Sequence, residues 1–238
     1  MGDRYLVISV GWAVNWTQIC NRSKSRAPEL SDNGKMLLEI NPLHPEPRKI
    51  RQAVEALEAG EVIAYPTDTV YGLGCDLLNK RAVEKLYQIK GMDQGQKLAF
   101  VCQDLSELSK YAVMHDRVYR VMKDLLPGPY CFILESTREV PKIVHWPRKT
   151  VGIRIPDHPV ALALCRELGR PIISSTAARH GTEPSADPAE IAAEFRGLKL
   201  VLDAGPGGTV PTTIVDLTGD EPKVIREGAG EVRRFAVA

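Results

Sequence analysis

The stretch G-E-V-I-A-Y-P-T-D-T-V-Y-G-L-G-C-D, residues 60–76, decides how the rest of the chain is read. Val62, Ile63, Ala64 and Tyr65 form a short apolar run ended by Pro66, a buried strand running into a turn. Thr67, Asp68, Thr69 and Tyr71 follow at once, and Gly72 and Gly74 let the backbone approach something closely. Open α/β sheets bind ligands at strand ends. The segment is therefore either a ligand site on a strand end or a capped tight turn with Tyr71 packed against it. It holds more polar groups than a turn needs.

Outward from this turn, strand and helix signals alternate. Before it, Leu37 to Ile40 alternates as a strand, and Ile50, Ala53, Val54 and Leu57 recur at helical spacing up to Gly60. After it, Val83, Leu86 and Tyr87 stripe a second helix that ends at I-K-G (89–91). L-A-F-V-C, ending at Cys102, is a strand, and Asp104 with Glu107 spells a capping box. Val118, Val121, Met122 and Leu125 stripe a helix stopped by Pro127-Gly128. YCFILE (130–135), TVGIRI (150–155) and PIISS (171–175) are predicted strands, with Asp157 capping a helix that Gly169 closes. Asp187-Pro188 opens another helix as cap plus first-turn proline. LKLVLD (198–203), TTIVDL (212–217) and KVIRE (223–227) complete an α/β or α+β sheet protein of mixed strand direction.

Composition narrows the class. The 238 residues are 44% hydrophobic, 26% charged and 6% aromatic, which suits a globular α/β protein rather than a membrane or disordered one. Net charge is +1, so only local patches could speak for nucleic acid. The five cysteines, at 20, 75, 102, 131 and 165, are odd in number and lack C-x-x-C spacing. Neither a disulfide framework nor a metal site is expected, and reduced thiols in a cytoplasmic protein are. Tyr5 to Trp16 is apolar but too short to span a bilayer, and it lacks the basic start and cleavage site of a secretion signal. No membrane partner is expected. Residues 17–35 turn polar and aperiodic, and the text changes at Met36. Residues 1–35 are read as a poorly ordered or non-native extension, and 36–238 as one domain.

Four further features could carry chemistry. Lys90 at a helix C-terminus is by itself an ordinary dipole partner. Residues 138–154 set Arg138, Lys142, Arg148, Lys149 and Arg154 against Glu139 alone, with His145 and Trp146 between. That is a phosphate-tracking surface or a solvated loop. Arg154 stands apart, because a guanidinium inside an apolar strand must meet a carboxylate or a bound anion. S-S-T-A-A-R-H-G-T-E-P-S (174–185) is rich in hydroxyls after a strand, and G-P-G-G-T-V-P-T-T (205–213) is a glycine-rich loop entering one. Neither is a Walker loop, and no G-x-G-x-x-G after a strand, G-x-S-x-G or H-E-x-x-H occurs.

Five segments in order resemble the YrdC/YciO family over residues 45–230: 60–76, IKG (89–91), LPGPYCFIL (126–134), TVGIRIPDHPVALAL (150–164) and TTIVDLTGDEPKVIREG (212–228). LAFVCQDLSELSKYA (98–112) is closest in spelling to the YciO branch. The resemblance implies one twisted mixed sheet with packed helices and a concave, positively charged surface. It implies a nucleotidyltransferase joining L-threonine, bicarbonate and ATP into threonylcarbamoyl-AMP and pyrophosphate, for tRNA modification, with Mg²⁺ held through the nucleotide. Carried over by position, Lys90 and Arg154 are the catalytic cations, matching the lysine of K-x-R and the arginine of G-x-R-x-P. Thr67, Thr69 and Tyr71 line the small-substrate end, and Ser174, Ser175, Thr176 and Thr213 bind substrate.

Two positions depart from the pattern. Met92 stands where K-x-R has its arginine, and Ala178 where S-x-N has its asparagine. Losing a charge-assisted contact costs about 1.5–3 kcal/mol, roughly ten- to hundred-fold in affinity. Arg179 and His180 stand near enough in sequence to compensate. The competing expectation is a module for double-stranded or structured RNA without turnover, with Arg148, Lys149 and Arg179 on the backbone phosphates.

Overall fold

The computed structural model describes residues 29–30, 36–93, 98–141, 149–179 and 181–235. The first elements are strands β1 (Glu29–Leu30) and β2 (Met36–Glu39), followed by helix α1 (Pro47–Glu58). The quoted stretch forms β3 (Ile63–Tyr65) and β4 (Gly72–Asp76), antiparallel neighbours with the turn between them. Next come α2 (Lys80–Lys90), β5 (Ala99–Val101), α3 (Leu105–Leu108) and α4 (Asp116–Lys123). The second half holds β6 (Tyr130–Glu135), β7 (Thr150–Arg154), α5 (Pro159–Leu168), β8 (Ile172–Thr176) and α6 (Pro188–Glu194). It ends with β9 (Leu200–Asp203), β10 (Thr213–Asp216) and β11 (Lys223–Arg226).

All eleven strands join one mixed sheet in the order β1-β2-β9-β3-β4-β8-β5-β7-β6-β10-β11. Its faces carry separate cores. Ile63 and Tyr65 point to the side where α1 and α5 bring Leu57, Val160, Leu164 and Leu168. Val62 and Ala64 point to the other, with Leu86 and Tyr87 of α2 and Ile191 of α6. Period-two alternation along one strand thus feeds both layers. The described part of the 1–35 extension is β1, which pairs with β2 at the sheet edge; the rest lies outside the described residues. No described helix is long and apolar enough to cross a membrane.

Helix ends follow the sequence with one correction. Asn79 caps α2, Asp104 accepts from the Glu107 amide at 2.8 Å, and Asp187 caps α6. The cap of α5 is His158 rather than Asp157: its Nδ1 accepts from the Val160 amide at 3.2 Å. Pro159 supplies the first helical position, which moves the cap one residue along. The close backbone approach expected at Gly72 and Gly74 is made to protein. A Cβ on Gly74 would lie 2.7 Å from Ile172 and 2.8 Å from the Tyr65 ring.

Candidate functional site

The turn after β3 folds back onto the end of β7, where Arg154 emerges from the sheet. Arg154 Nη2 donates to Thr67 Oγ1 at 3.0 Å, Asp68 Oδ1 at 2.5 Å and Thr69 Oγ1 at 2.8 Å. Thr67 also donates to the Val70 carbonyl at 2.6 Å and accepts from the Thr69 amide at 3.2 Å. The two threonines, expected against substrate, hold the arginine here and line neither cavity described below. The apolar strand explains why: a buried guanidinium needs acceptors, and the turn supplies three. Arg154 Nε and Asp68 Oδ2 remain buried without partners among the described residues.

Arg154 opens onto a cavity of about 290 Å³. Val70, Ala99, Val101, Cys131 and Ile214 supply its apolar wall, and Ser175, Thr176, Thr212 and Arg226 its polar one. Arg226 went unremarked in the sequence reading. It donates from Nε (3.2 Å) and Nη2 (2.9 Å) to the Thr212 carbonyl, and meets no carboxylate among the described residues. Burial lowers its pKa, Cys131 opposes that, and Arg154 adds to it. Nη1 of neither guanidinium is engaged in a hydrogen bond among the described residues. Two cations facing one space, with Asp68 paired to Arg154 outside its lining, make a place for an anion. The available signal was the arginine inside the matched segment 212–228.

Three other expected contact residues have hydroxyls bonded within the protein, although Tyr71 and Ser174 still line the first cavity. The Tyr71 hydroxyl donates to the Gly205 carbonyl at 2.8 Å and accepts from the Ala204 amide at 3.1 Å. Tyr71 lines the cavity, and burial raises its pKa to about 12. Ser174 accepts from Tyr65 at 2.7 Å and donates to the Leu73 carbonyl at 3.2 Å. Thr213 is fully buried, donating to the Gly230 carbonyl at 2.6 Å. Each hydroxyl is committed to the fold. Thr212, one residue earlier, is the one that reaches the cavity.

A second cavity, of about 400 Å³, shares Ser175, Thr176 and Arg226 with the first, so the two form one cleft. Lys90, the last residue of α2, is 7% exposed there. Its Nζ donates to Ser175 Oγ at 2.9 Å and to the Thr176 carbonyl at 2.7 Å. Burial draws its pKa down to about 8, with Glu194 opposing. Met92 and Ala178, the two departures from the pattern, both line this second cavity. Arg179 lines it too, but its Nε lies 3.3 Å from Glu194 Oε1 and its guanidinium stacks 5.6 Å from the Phe195 ring centre.

Of the described residues of the basic stretch, Arg154 lines the first cavity and Lys149 lines neither. Lys149 stands just before β7 and Arg154 ends that strand, so they lie about 17 Å apart at roughly 3.3 Å per residue. Lys149 is exposed, and its carbonyl accepts from the Ser136 amide and hydroxyl. Arg179 is paired with Glu194 on α6. Arg148 and His180 lie outside the described residues.

Comparison with known proteins gives this geometry a setting. The Sua5/YciO/YrdC family model, described as "Telomere recombination", matches residues 55–228. YciO of Escherichia coli K12 is 42% identical over 199 residues, covering 82% of this chain and 97% of its own. Its crystal structure matches with a TM-score of 0.81 over 85% of this chain and 100% of that one. Threonylcarbamoyl-AMP synthase of Chromohalobacter salexigens is 31% identical over 175 residues, 73% of this chain and 95% of its own. The crystal structure of P. abyssi Sua5 complexed with L-threonine matches with a TM-score of 0.76 and 29% identity, over 81% of this chain and 57% of that one.

Proposed function

The chain belongs to the Sua5/YciO/YrdC family, and from that premise we propose that its cleft binds ATP beside a small amino acid and makes a threonylcarbamoyl-type adenylate at a reduced rate. The observation that carries this reading is the shared wall. Arg154 and Arg226 face an amino-acid-sized space, and Arg226 with Ser175 and Thr176 continues into a second space holding Lys90. A carboxylate in the first and a phosphate in the second would meet where the walls join. Two reactants held in adjoining spaces react with the entropy of encounter already removed.

The amine of threonine takes up bicarbonate as a carbamate, whose oxygen attacks the α-phosphorus as pyrophosphate departs. Arg226 and Lys90 neutralise charge growing on the phosphate, and Arg154 holds the amino-acid end. Mg²⁺ would arrive with the triphosphate and be held by its oxygens and by water. Among the described residues no carboxylate lines the first cavity, and Asp68 beside it is paired with Arg154. The rate is reduced because Met92 and Ala178 offer the second cavity no polar atoms of their own side chains. Threonine, bicarbonate and ATP incubated with the protein should yield pyrophosphate and the adenylate slowly. No adenylate at any enzyme concentration would end this reading.

RNA binding without turnover is the weaker alternative, since Arg179 is already paired with Glu194. A steep salt dependence of RNA affinity, flattened by Arg148→Ala with Lys149→Ala, would restore it.

A further inference from the structure

Ser175 and Ser174 are adjacent on β8 and behave oppositely. Ser174 both accepts and donates within the protein. Ser175 Oγ receives a hydrogen bond from Lys90 Nζ at 2.9 Å, and its own O–H has no acceptor among the described residues. Ser175 borders both cavities, so that hydroxyl stands at the junction of the cleft. The Thr176 carbonyl, 2.7 Å from Nζ, fixes the amine from the other side. A serine in contact with a lysine that a third group orients is the arrangement of a base-activated nucleophile.

We propose that Ser175 and Lys90 form a nucleophile–base pair that cleaves an acyl-adenylate through an acyl-serine, making the cleft a hydrolase of activated acyl phosphates. The proposal rests on the cleft holding an adenylate, as above. Neutral Lys90 takes the Ser175 hydroxyl proton while Oγ bonds to the acyl carbon and the carbonyl electrons move onto oxygen. Their return breaks the bond from acyl carbon to phosphate oxygen, and AMP leaves with that electron pair. Arg226, on the wall shared by both cavities, faces the charge formed in this step. Protonated Lys90 then faces the departing phosphate, and its proton passes to solvent with AMP. In the second half Lys90 takes a proton from water, whose oxygen bonds to the acyl carbon. Oγ leaves and recovers that proton. One water is consumed, and one carboxylic acid and one AMP are formed. A carbamoyl substrate gives the carbamic acid, which loses carbon dioxide.

The surroundings of Lys90 let it serve as the base. The charged groups around it are Glu194 on α6, Arg179 and Glu183 after β8, and Arg226 on β11. None lies within ion-pair distance, and burial brings the amine to about 8, so a fraction is neutral near neutral pH.

Acetyl adenylate is the probe, with AMP release and the intact mass of the protein as readouts and ATP binding measured alongside. Wild-type protein should release AMP above the buffer rate, faster as pH rises through about 8, and carry one acetyl group on the Ser175 peptide. Ser175→Ala should lose the adduct and about a hundredfold or more in release, with an unchanged melting temperature. Lys90→Arg keeps a charge but no base at this pH, and should also fail to acylate. AMP release in Ser175→Ala at the wild-type rate, or an adduct in Lys90→Arg at the wild-type rate, overturns the pair. If ATP still binds in that case, the adenylate reading stands alone. If wild type binds neither ATP nor AMP, both readings fall.

Discussion

In the first cavity nearly every polar side chain from the turn is already committed, whereas in the second the lysine has two neutral acceptors and no carboxylate within ion-pair reach. Thr67, Asp68 and Thr69 spend their oxygens on Arg154, and Tyr71 spends its hydroxyl on the 204–205 backbone. Lys90 hydrogen-bonds to Ser175 and to a carbonyl, and Met92 and Ala178 present apolar side chains to the same space. The first region is a scaffold that holds a cation still. The second is a place where chemistry depends on what enters, and it is where this chain departs from its family's pattern.

The sharpest way to break this contrast is Arg154→Ala. Asp68 would be left buried without its partner, a loss of about 3–5 kcal/mol for a pair whose side chains are each 11% exposed. Urea denaturation should show it. A loss below about 1 kcal/mol would mean the carboxylate reaches water and the scaffold is looser than described. Next in size is the second cavity. Met92→Arg with Ala178→Asn should raise adenylate formation by roughly ten- to hundred-fold, more than the singles combined, because both groups would share one anion. A folded double variant with no gain would mean the chain has moved to another substrate.

Tyr71→Phe should cost about 1–3 kcal/mol in stability, since the Gly205 carbonyl and the Ala204 amide lose their partner. An equal loss of ligand affinity without a stability change would return Tyr71 to the binding surface. A pH titration tests Lys90 more gently. Its folded pKa of about 8 lies below its ordinary 10.5, so between those values the unfolded chain binds more protons and Lys90's contribution makes stability rise with pH. Affinity for ATP should run the other way, falling by up to about tenfold as pH rises through 8 and the ammonium loses its charge. A flat affinity profile would place Lys90 away from the phosphates. The smallest effect belongs to Lys149→Ala, whose exposed side chain should change ATP affinity by less than about 0.5 kcal/mol.

The sheet and its helices were legible because apolar runs of strand length and stripes of helical spacing name buried faces directly. The site was legible in its cations but not in their bonding. That Lys90 and Arg154 matter can be read from position. That Thr67 and Thr69 serve Arg154 requires knowing that the turn folds back on β7. Arg226 was hidden by its surroundings, since K-V-I-R-E reads as an exposed strand with a charge at each end, and only its pairing with β10 brings the guanidinium to the Thr212 carbonyl. His158 displaced Asp157 as a cap because Pro159 fixes where the helix begins.

Arg226 rides on β11, the outermost strand, which pairs with β10 alone and is largely exposed. Margins of a sheet open at lower free energy than its centre. Fraying there would carry away the one cation common to both spaces while the other strands stayed joined. Warmed gradually, the protein should therefore fall silent before it melts, and the interval between the two temperatures would report how firmly that single strand is held.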